Sequence, residues 1–357
     1  MPSDQPHSAP GASGIGIVNP LEYPDWDQSV GSLPGAGFFH GRAWARVLHE
    51  TYGYRPVYFV RNEAGRPQAL LPLMEVRSWL TGRRGVALPF TDACEPLAAD
   101  ADAARQLREA AYQYGTGQGW KYLETCGGRH FLGETPASTV FYGHQLDLRG
   151  GEAALQGRFD GAVRRAIKKA GQQDGLKIDF SRDAAGMDSF YRLLCLTRKR
   201  HGLPPQPARF FDNIQRHVLA GGHGWTVLAT HGDRPVAGAV YFHAGKKALY
   251  KYGASDDDFQ HLRANQLVMW QAIRRYAAEG YDLLDFGRTS LTNEGLRRYK
   301  LNWGTTEQTV EYFRYDLRQR AYLPAKDGAS GWHSQVFRRL PIPVLRAAGA
   351  LLYPHMG

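Results

Sequence analysis

The feature that most restricts what this chain can become is an internal repeat about half its length. Gly119-Trp120-Lys121-Tyr122-Leu123-Glu124 matches Gly280-Tyr281-Asp282-Leu283-Leu284-Asp285. A helix-forming stretch precedes each glycine, Ala103 to Tyr114 in one place and Asn265 to Ala278 in the other. Glycine suits a helix end because it takes the left-handed conformation with no Cβ clash, and the residues after it alternate as a strand does. Gly65-Arg66-Pro67-Gln68-Ala69 parallels Asp233-Arg234-Pro235-Val236-Ala237, each following an apolar run (Val57 to Arg61; Trp225 to Thr230) at a hairpin-like turn. Phe38-Phe39 and Phe210-Phe211 each stand before a helix-like segment, and Val86 to Phe90 parallels Ala248 to Tyr252. Chance produces single matches; four in one order imply a duplicated unit.

Each copy reads helix, antiparallel hairpin, strand, helix, strand, which is an α/β fold with mixed sheets. The expected domains are residues 21–150 and 151–322, preceded by a disordered leader (1–20) and followed by a linker and basic amphipathic tail (323–357). The leader is rich in Pro, Ser, Gly and Ala, with neither the basic start nor the apolar run of a signal peptide. Between the copies, Leu155, Phe159, Val163, Ile167 and Ala170 fall on one helical face. Arg164/Lys168 and Arg165/Lys169 are like-charged neighbours one turn apart, which disfavours a helix unless an anion or solvent takes the charge. In the tail, Val336 to Arg346 and Ala347 to Tyr353 mix basic and apolar residues. They suit either an anionic membrane surface or packing on their own domain.

Charge narrows the partners. Lys and Arg number 44 against 34 Asp and Glu, a formal +10, which favours a phosphate-rich partner such as nucleic acid, anionic lipid or a phosphorylated small molecule. The alternative is a generally basic soluble surface. The three cysteines, at 94, 126 and 195, have neither zinc-site nor disulfide spacing, so a reducing cytoplasm is expected. No apolar stretch is long enough to span a bilayer, which leaves a cytoplasmic protein, peripheral on the inner face if it meets the membrane at all. No P-loop, GxSxG elbow, HExxH pair or dinucleotide glycine fingerprint is present, so metal, NAD and serine-hydrolase chemistry are disfavoured.

The densest candidate site is Asp285-Phe286-Gly287-Arg288-Thr289-Ser290 followed by Asn293 to Gly304. It sets an acid at an expected strand end, where ligands of α/β sheets gather, then a short basic helix closed by Trp303-Gly304. Lys300 suits negative charge on a tetrahedral intermediate, or a phosphate. A solvated helix anchored by its aromatics accounts for the same residues. Arg198-Lys199-Arg200-His201, running into Pro204-Pro205-Gln206-Pro207, reads either as a stiff anion site or as cations complementing a helix end. Tyr252-Gly253-Ala254-Ser255 leads through an acidic turn to Asn265, and Asp92 and Glu95 occupy the corresponding stretch of the first copy as turn residues.

These features resemble the FemAB-like branch of the GNAT acyltransferases. They are the duplicated unit, the Arg164 to Ala170 helix, the Arg198 to Pro207 loop, Tyr252 to Ser255, Asn265, Asp285 to Arg288, and Tyr299-Lys300 ahead of Trp303-Gly304. The resemblance covers Phe38 to Tyr315 and implies two tandem GNAT-like domains that transfer an acyl group to an amine. Its best-known members move an amino acid from aminoacyl-tRNA onto a peptidoglycan precursor; relatives occur near exopolysaccharide systems. By resemblance Lys300 supports the transition state and Asp92 of the first copy lines the cleft; Arg288 is expected to assist Lys300, and Asp92 or the substrate itself to accept the proton. Arg198, Arg200, Tyr252, Asn265, Tyr299, Arg164 and Lys168 bind substrate. An acyl-CoA site needs a glycine-rich loop to cradle pyrophosphate, and Ser255 to Asn265 has no glycine, which favours aminoacyl-tRNA over acyl-CoA as co-substrate. The long helical hairpin of some members is absent too, which argues against extensive contacts with the tRNA body. Two alternatives stay open: an acyl-CoA-dependent N-acetyltransferase of an envelope or exopolysaccharide pathway, and a non-catalytic assembly factor that binds anionic lipid or RNA. No metal or resident cofactor is expected.

Overall fold

The computed structural model describes residues 14–63, 66–324 and 333–357. Residues 1–13 of the expected leader, Gly65 of the turn match and most of the polar linker lie outside the described residues.

The first copy begins with β1 (Gly14–Val18), α1 (Trp26–Gly31), a 3-10 turn (Phe38–His40) and α2 (Arg42–Tyr52). It continues through β2 (Arg55–Glu63), β3 (Arg66–Ser78), β4 (Gly82–Val86), α3 (Ala101–Gly117), β5 (Tyr122–Cys126), α4 (Arg129–Leu132) and β6 (Thr139–Asp147). Two helices follow, α5 (Gly151–Arg158) and α6 (Gly161–Gly171). The second copy has the same order: β7 (Leu176–Ser181), α7 (Ala184–Arg200), α8 (Ala208–Ile214), β8 (Gly224–His231), β9 (Arg234–Ala244), β10 (Lys247–Ser255), α9 (Ala264–Ala278), β11 (Leu283–Ser290), α10 (Glu294–Leu301) and β12 (Thr306–Asp316). A short β13 (Ala321–Leu323), α11 (His333–Arg339) and α12 (Ile342–Leu352) complete it.

The repeat is therefore an element-by-element duplication. In both copies two hairpin-linked strands run antiparallel, and the next strand lies parallel to the one after the long helix, β4 to β5 and β10 to β11. β3 and β9 are buried along most of their length, as strands covered on both faces are, which explains their near-continuous apolar runs. Gly85 pairs with Leu123 and Ala248 with Leu284, so Ala248 corresponds to Gly85, one residue from the expected Val86. The first-copy strand also ends at Val86 instead of running to Phe90. Pro89 has no N–H for a ladder, and Leu88 and Phe90 take positive φ around it. Phe210-Phe211 lie inside α8 and do not precede it, packed edge-to-face with ring centroids 5.4 Å apart.

The chain divides into two compact units, and the division does not follow the two copies. One unit comprises Met1–Val140, Val310–Asp327 and Pro354–Gly357; the other comprises Phe141–Thr309 and Gly328–Tyr353. In the first, neighbouring strands run β1, β2, β3, β4, β5, with β12 antiparallel to β5 and β13 on β12. In the second they run β6, β11, β10, β9, β8, β7, with β6 antiparallel to β11. Each copy thus gives its last strand to the sheet built by the other.

In the second unit the apolar face expected between the copies is present, carried by two helices. Asp160 breaks the run, its side chain accepting from the Ala162 amide to cap α6. Leu155, Phe159, Val163 and Ala170 are buried; Phe159 meets Trp270 and Trp303 edge-on at 5.5 and 5.1 Å between centroids. The tail helix α12 packs on this unit through Leu345, Gly349 and the adjoining Tyr353. A Cβ on Gly349 would stand 1.9 Å from the Pro205 carbonyl oxygen. The opposite side of the tail, with Val344 and Leu351, is exposed. Leu345→Ala is expected to cost about 2–5 kcal/mol by leaving a cavity. Leu351→Ala should stay within about 0.5 kcal/mol. Urea midpoints of the two variants measure the difference, and equal midpoints would show that α12 is not docked.

Candidate active site

Asp285 and Lys300 lie where two parallel strands of the second unit part. Pairing of β10 with β11 covers only Lys247 to Leu249 against Leu283 to Asp285, although both strands run on, to Ser255 and Ser290. Asp285 is thus the end of the parallel ladder and not, as expected, the end of its strand. Its carboxylate accepts from the Gly287 amide at 2.6 Å and from the Gln145 side-chain amide at 3.2 Å. Gly287, at φ 69°, forms a bulge that shifts the register against β6 between Asp285 and Arg288.

Lys300 answers that bulge. It is 3% exposed, and its Nζ donates to the carbonyls of Gly287 at 2.8 Å and Arg288 at 3.1 Å. A buried ammonium is tolerated because backbone dipoles replace its water. Trp303 and Gly304 hold α10 in place. Trp303 is fully buried against Phe159, and Gly304 takes φ 70° where a Cβ would stand 2.7 Å from the Arg158 carbonyl oxygen. The aromatic–glycine pair is therefore a backbone requirement as well as an anchor.

A cleft of ≈ 390 Å³ is lined by the end of α7, β9, β10, the start of α9 and α10; Tyr299 lines it, whereas Lys300, Arg288 and Asp285 do not. Arg200, Asn265 and Tyr299, all expected to bind substrate, line it together. Arg200 also pairs with Asp257. Burial pushes the Tyr299 phenol up to about 12 and the Tyr250 phenol higher still, so both keep their protons at neutral pH. Tyr252 is not in the cleft. An irregularity between Tyr250 and Tyr252 breaks the two-residue alternation, so Tyr250 lines the cleft while Tyr252 packs on Phe210 and Phe211. From Asp256 to Leu262 the chain carries three aspartates and no glycine ahead of α9, with Asp256 held by Arg234 at 2.6 Å.

The other expected residues are placed elsewhere. Arg198 donates to the Pro204 carbonyl at 3.3 Å and to the Tyr353 hydroxyl, tying the proline loop to the tail. Arg164 turns back to the Phe159 carbonyl at 2.7 Å, and Lys168 is exposed on α6. Arg288 stacks on Phe141, 4.4 Å from guanidinium carbon to ring centroid. Asp92 belongs to the first unit, where its carbonyl accepts from the Tyr312 hydroxyl at 3.2 Å. Among the described residues no group of three His, Cys, Asp or Glu side chains is placed to hold a metal ion.

Sequence reasoning missed a charged chain beside Lys300. Arg297 grips Glu307 through Nε at 2.8 Å and Nη2 at 2.9 Å and lies over Tyr142; Glu307 in turn meets His144 Nε2 at 3.1 Å. The helical spacing of Arg297 and Lys300 was readable, but nothing marked His144, which sits 163 positions from Glu307. Arg297 holds the Glu307 carboxyl below its usual range. Burial holds the His144 imidazole below its usual value, the Lys300 charge adds to that, and Glu307 opposes it.

Comparison with known proteins gives three findings. Residues 157–301, which include Lys300 and every residue that lines the cleft, match the acetyltransferase (GNAT) domain family model. Stretches of the chain resemble curated proteins named lipid II:glycine glycyltransferase. The match is 32% identical over 108 residues in Staphylococcus saprophyticus, covering 27% of this chain and 25% of that protein. It is 30% identical over 94 residues in Staphylococcus haemolyticus, covering 24% and 22%. The chain thus spans about a quarter of the length of these relatives. Among solved structures, the crystal structure of FemX aligns with a TM-score of 0.69 at 15% identity, over 86% of this chain and 98% of that one. A tandem GNAT protein from the clavulanic acid biosynthesis pathway aligns with a TM-score of 0.53 at 11% identity, over 85% and 98%. At these identities the two structures speak for the fold.

Burial lowers the imidazoles of His144, His201 and His243 alike, and each begins from a reference near 6.5. The unfolded chain therefore binds more protons in weak acid, so their contribution is complete above about pH 6.5 and is lost as pH falls. We expect the unfolding free energy to drop between pH 7 and pH 5, and His144→Asn to flatten that slope. Urea titrations at both pH values read the change, and an unaltered slope would remove His144 from the account.

Proposed function

Starting from a GNAT acyltransferase domain of FemAB-like build, we propose that this chain is an aminoacyltransferase acting on an amine of a peptidoglycan or related cell-envelope precursor. The observation that carries the proposal is Lys300, a buried ammonium at the parting of β10 and β11, inside the segment that matches the GNAT family model. The name the staphylococcal relatives carry, lipid II:glycine glycyltransferase, supports the substrate class.

The acceptor amine attacks the ester carbonyl of the donor. A C–N bond forms, the C–O bond to the tRNA ribose breaks, the amine loses a proton, and the leaving oxygen gains one. Lys300 stabilises the negative charge that develops on the carbonyl oxygen, with Arg288 assisting. Its ammonium is held in advance by two backbone carbonyls, so little reorganisation accompanies the reaction. The neutral phenols of Tyr250 and Tyr299 offer hydrogen bonds to the donor in the cleft. The substrate itself accepts the proton. Arg200 and Asn265 contact the donor, while the exposed cations of α6, Lys168 among them, attract phosphate from a distance.

Aminoacyl-tRNA is the preferred donor. From Ser255 to Asn265 the chain has no glycine where a CoA pyrophosphate needs closely approaching backbone amides, which supports this choice.

Lys300→Ala should lower transfer by about 10²–10³-fold, the usual effect of removing one oxyanion donor, while tRNA binding persists. The assay incubates purified protein with charged tRNA and a lipid-linked precursor and follows the mass of the precursor. Transfer that survives ribonuclease and releases free CoA from an acyl-CoA would replace this reading with CoA-dependent acetylation. A Lys300→Ala protein that keeps full cellular function, alongside an α6 charge reversal that loses it, would point instead to a non-catalytic binding role.

A further inference from the structure

In the first unit, the turn that joins β3 to β4 presents its largest apolar side chains to water. Trp79 is 86% exposed and Leu80 58%, and Met356 of the chain's end segment, 62% exposed, belongs to the same unit. β3 is otherwise almost wholly buried, so the change comes abruptly at the tip. Single exposed apolar residues need no explanation; an exposed Trp-Leu pair on a built turn does.

The turn is built. Ser78 Oγ accepts from the Leu80 and Thr81 amides at 3.1 and 2.9 Å and hydrogen-bonds His355 Nδ1 at 3.0 Å. Buried Arg84 donates to the His355 carbonyl at 2.9 Å and to the Gly357 carbonyl at 2.6 Å. Lys121 Nζ donates to the Thr81 carbonyl at 2.9 Å, and the Trp79 ring meets His355 edge-on at 5.2 Å. These bonds fix the backbone beneath the tip and leave the indole outside.

The charges around the tip are mostly positive. Arg83 and Lys121 are exposed, and Arg77, half-exposed, pairs with the buried Glu75. We propose that this hairpin tip docks the protein on an anionic lipid bilayer, with Trp79 and Leu80 entering the headgroup layer and Arg83 and Lys121 meeting lipid phosphates. An amphipathic indole and an aliphatic side chain at the water–hydrocarbon boundary, ringed by cations, match that surface in both polarity and charge. A protein partner is a poorer fit, because a specific interface buries about 1,200–2,000 Å² and a turn tip offers far less. The proposal is independent of the transfer reaction and stands or falls without it.

The test is co-sedimentation of the full chain with vesicles of phosphatidylcholine, alone or with a third of phosphatidylglycerol. The wild-type protein should bind the anionic vesicles and release them as salt rises. Trp79→Ala/Leu80→Ser should bind on the order of 100-fold more weakly, each side chain being worth about tenfold or more in partitioning, with its urea midpoint unchanged. Trp79→Phe should keep most of the binding but lose the fluorescence quenching that brominated lipid causes in the wild type. Equal vesicle affinity in the double variant, quenching that survives Trp79→Phe, or a wild-type protein that ignores anionic vesicles would each overturn the proposal. So would a wild-type dimer that Trp79→Ala/Leu80→Ser turns into a monomer, since the tip would then be a self-association surface.

Discussion

The point at which β10 and β11 cease to pair governs the chemistry of the second unit. Beyond Leu249 and Asp285 the strands give up their mutual hydrogen bonds, and the carbonyls of Gly287 and Arg288 accept from the Lys300 ammonium. That contact in turn requires α10 to lie close, which Trp303 secures by filling the core and Gly304 by leaving room for the Arg158 backbone. Tyr250 and Tyr299 line the cleft. Bulge, buried cation and aromatic plug form one dependent set, and the lost ladder is its origin.

Much of this was legible in the chain itself. The glycine-then-strand repeat follows from local rules for ending a helix and starting a strand, and those rules act on neighbours in sequence. Tyr299-Lys300 before Trp303-Gly304 was visible for the same reason. What stayed hidden depends on distant contacts. His144 gains its meaning from Glu307, which β12 delivers, and no spacing rule links residues that far apart. The exchange of last strands was equally silent, because a strand looks the same whichever sheet receives it. The expectation for Tyr252 failed for a smaller reason: one irregular residue in β10 turns it away from the cleft that Tyr250 lines.

Arginine serves two ends in this protein. Arg198, Arg297, Arg129 and Arg84 are spent on fixed acceptors: the proline loop, Glu307, Glu311 and the Gly357 carbonyl. Their guanidiniums splint loops and segment ends to the core. The cations of α6 are different, since Arg165, Lys168 and Lys169 remain exposed. Ion pairs are already cancelled in the formal charge of +10, so the field an approaching polyanion meets depends on where the exposed cations lie, on α6 and at the hairpin tip among other places.

The exchanged strands also impose an order on synthesis. A ribosome releases β5 long before it has made β12, the strand that lies along β5 in the finished protein. Throughout that interval the nascent first unit carries an open sheet edge of the kind that recruits stray strands. Nearly two hundred residues must be translated before the proper partner exists, so the speed of elongation, and whatever shields the edge meanwhile, bear on how much of the chain reaches its native state.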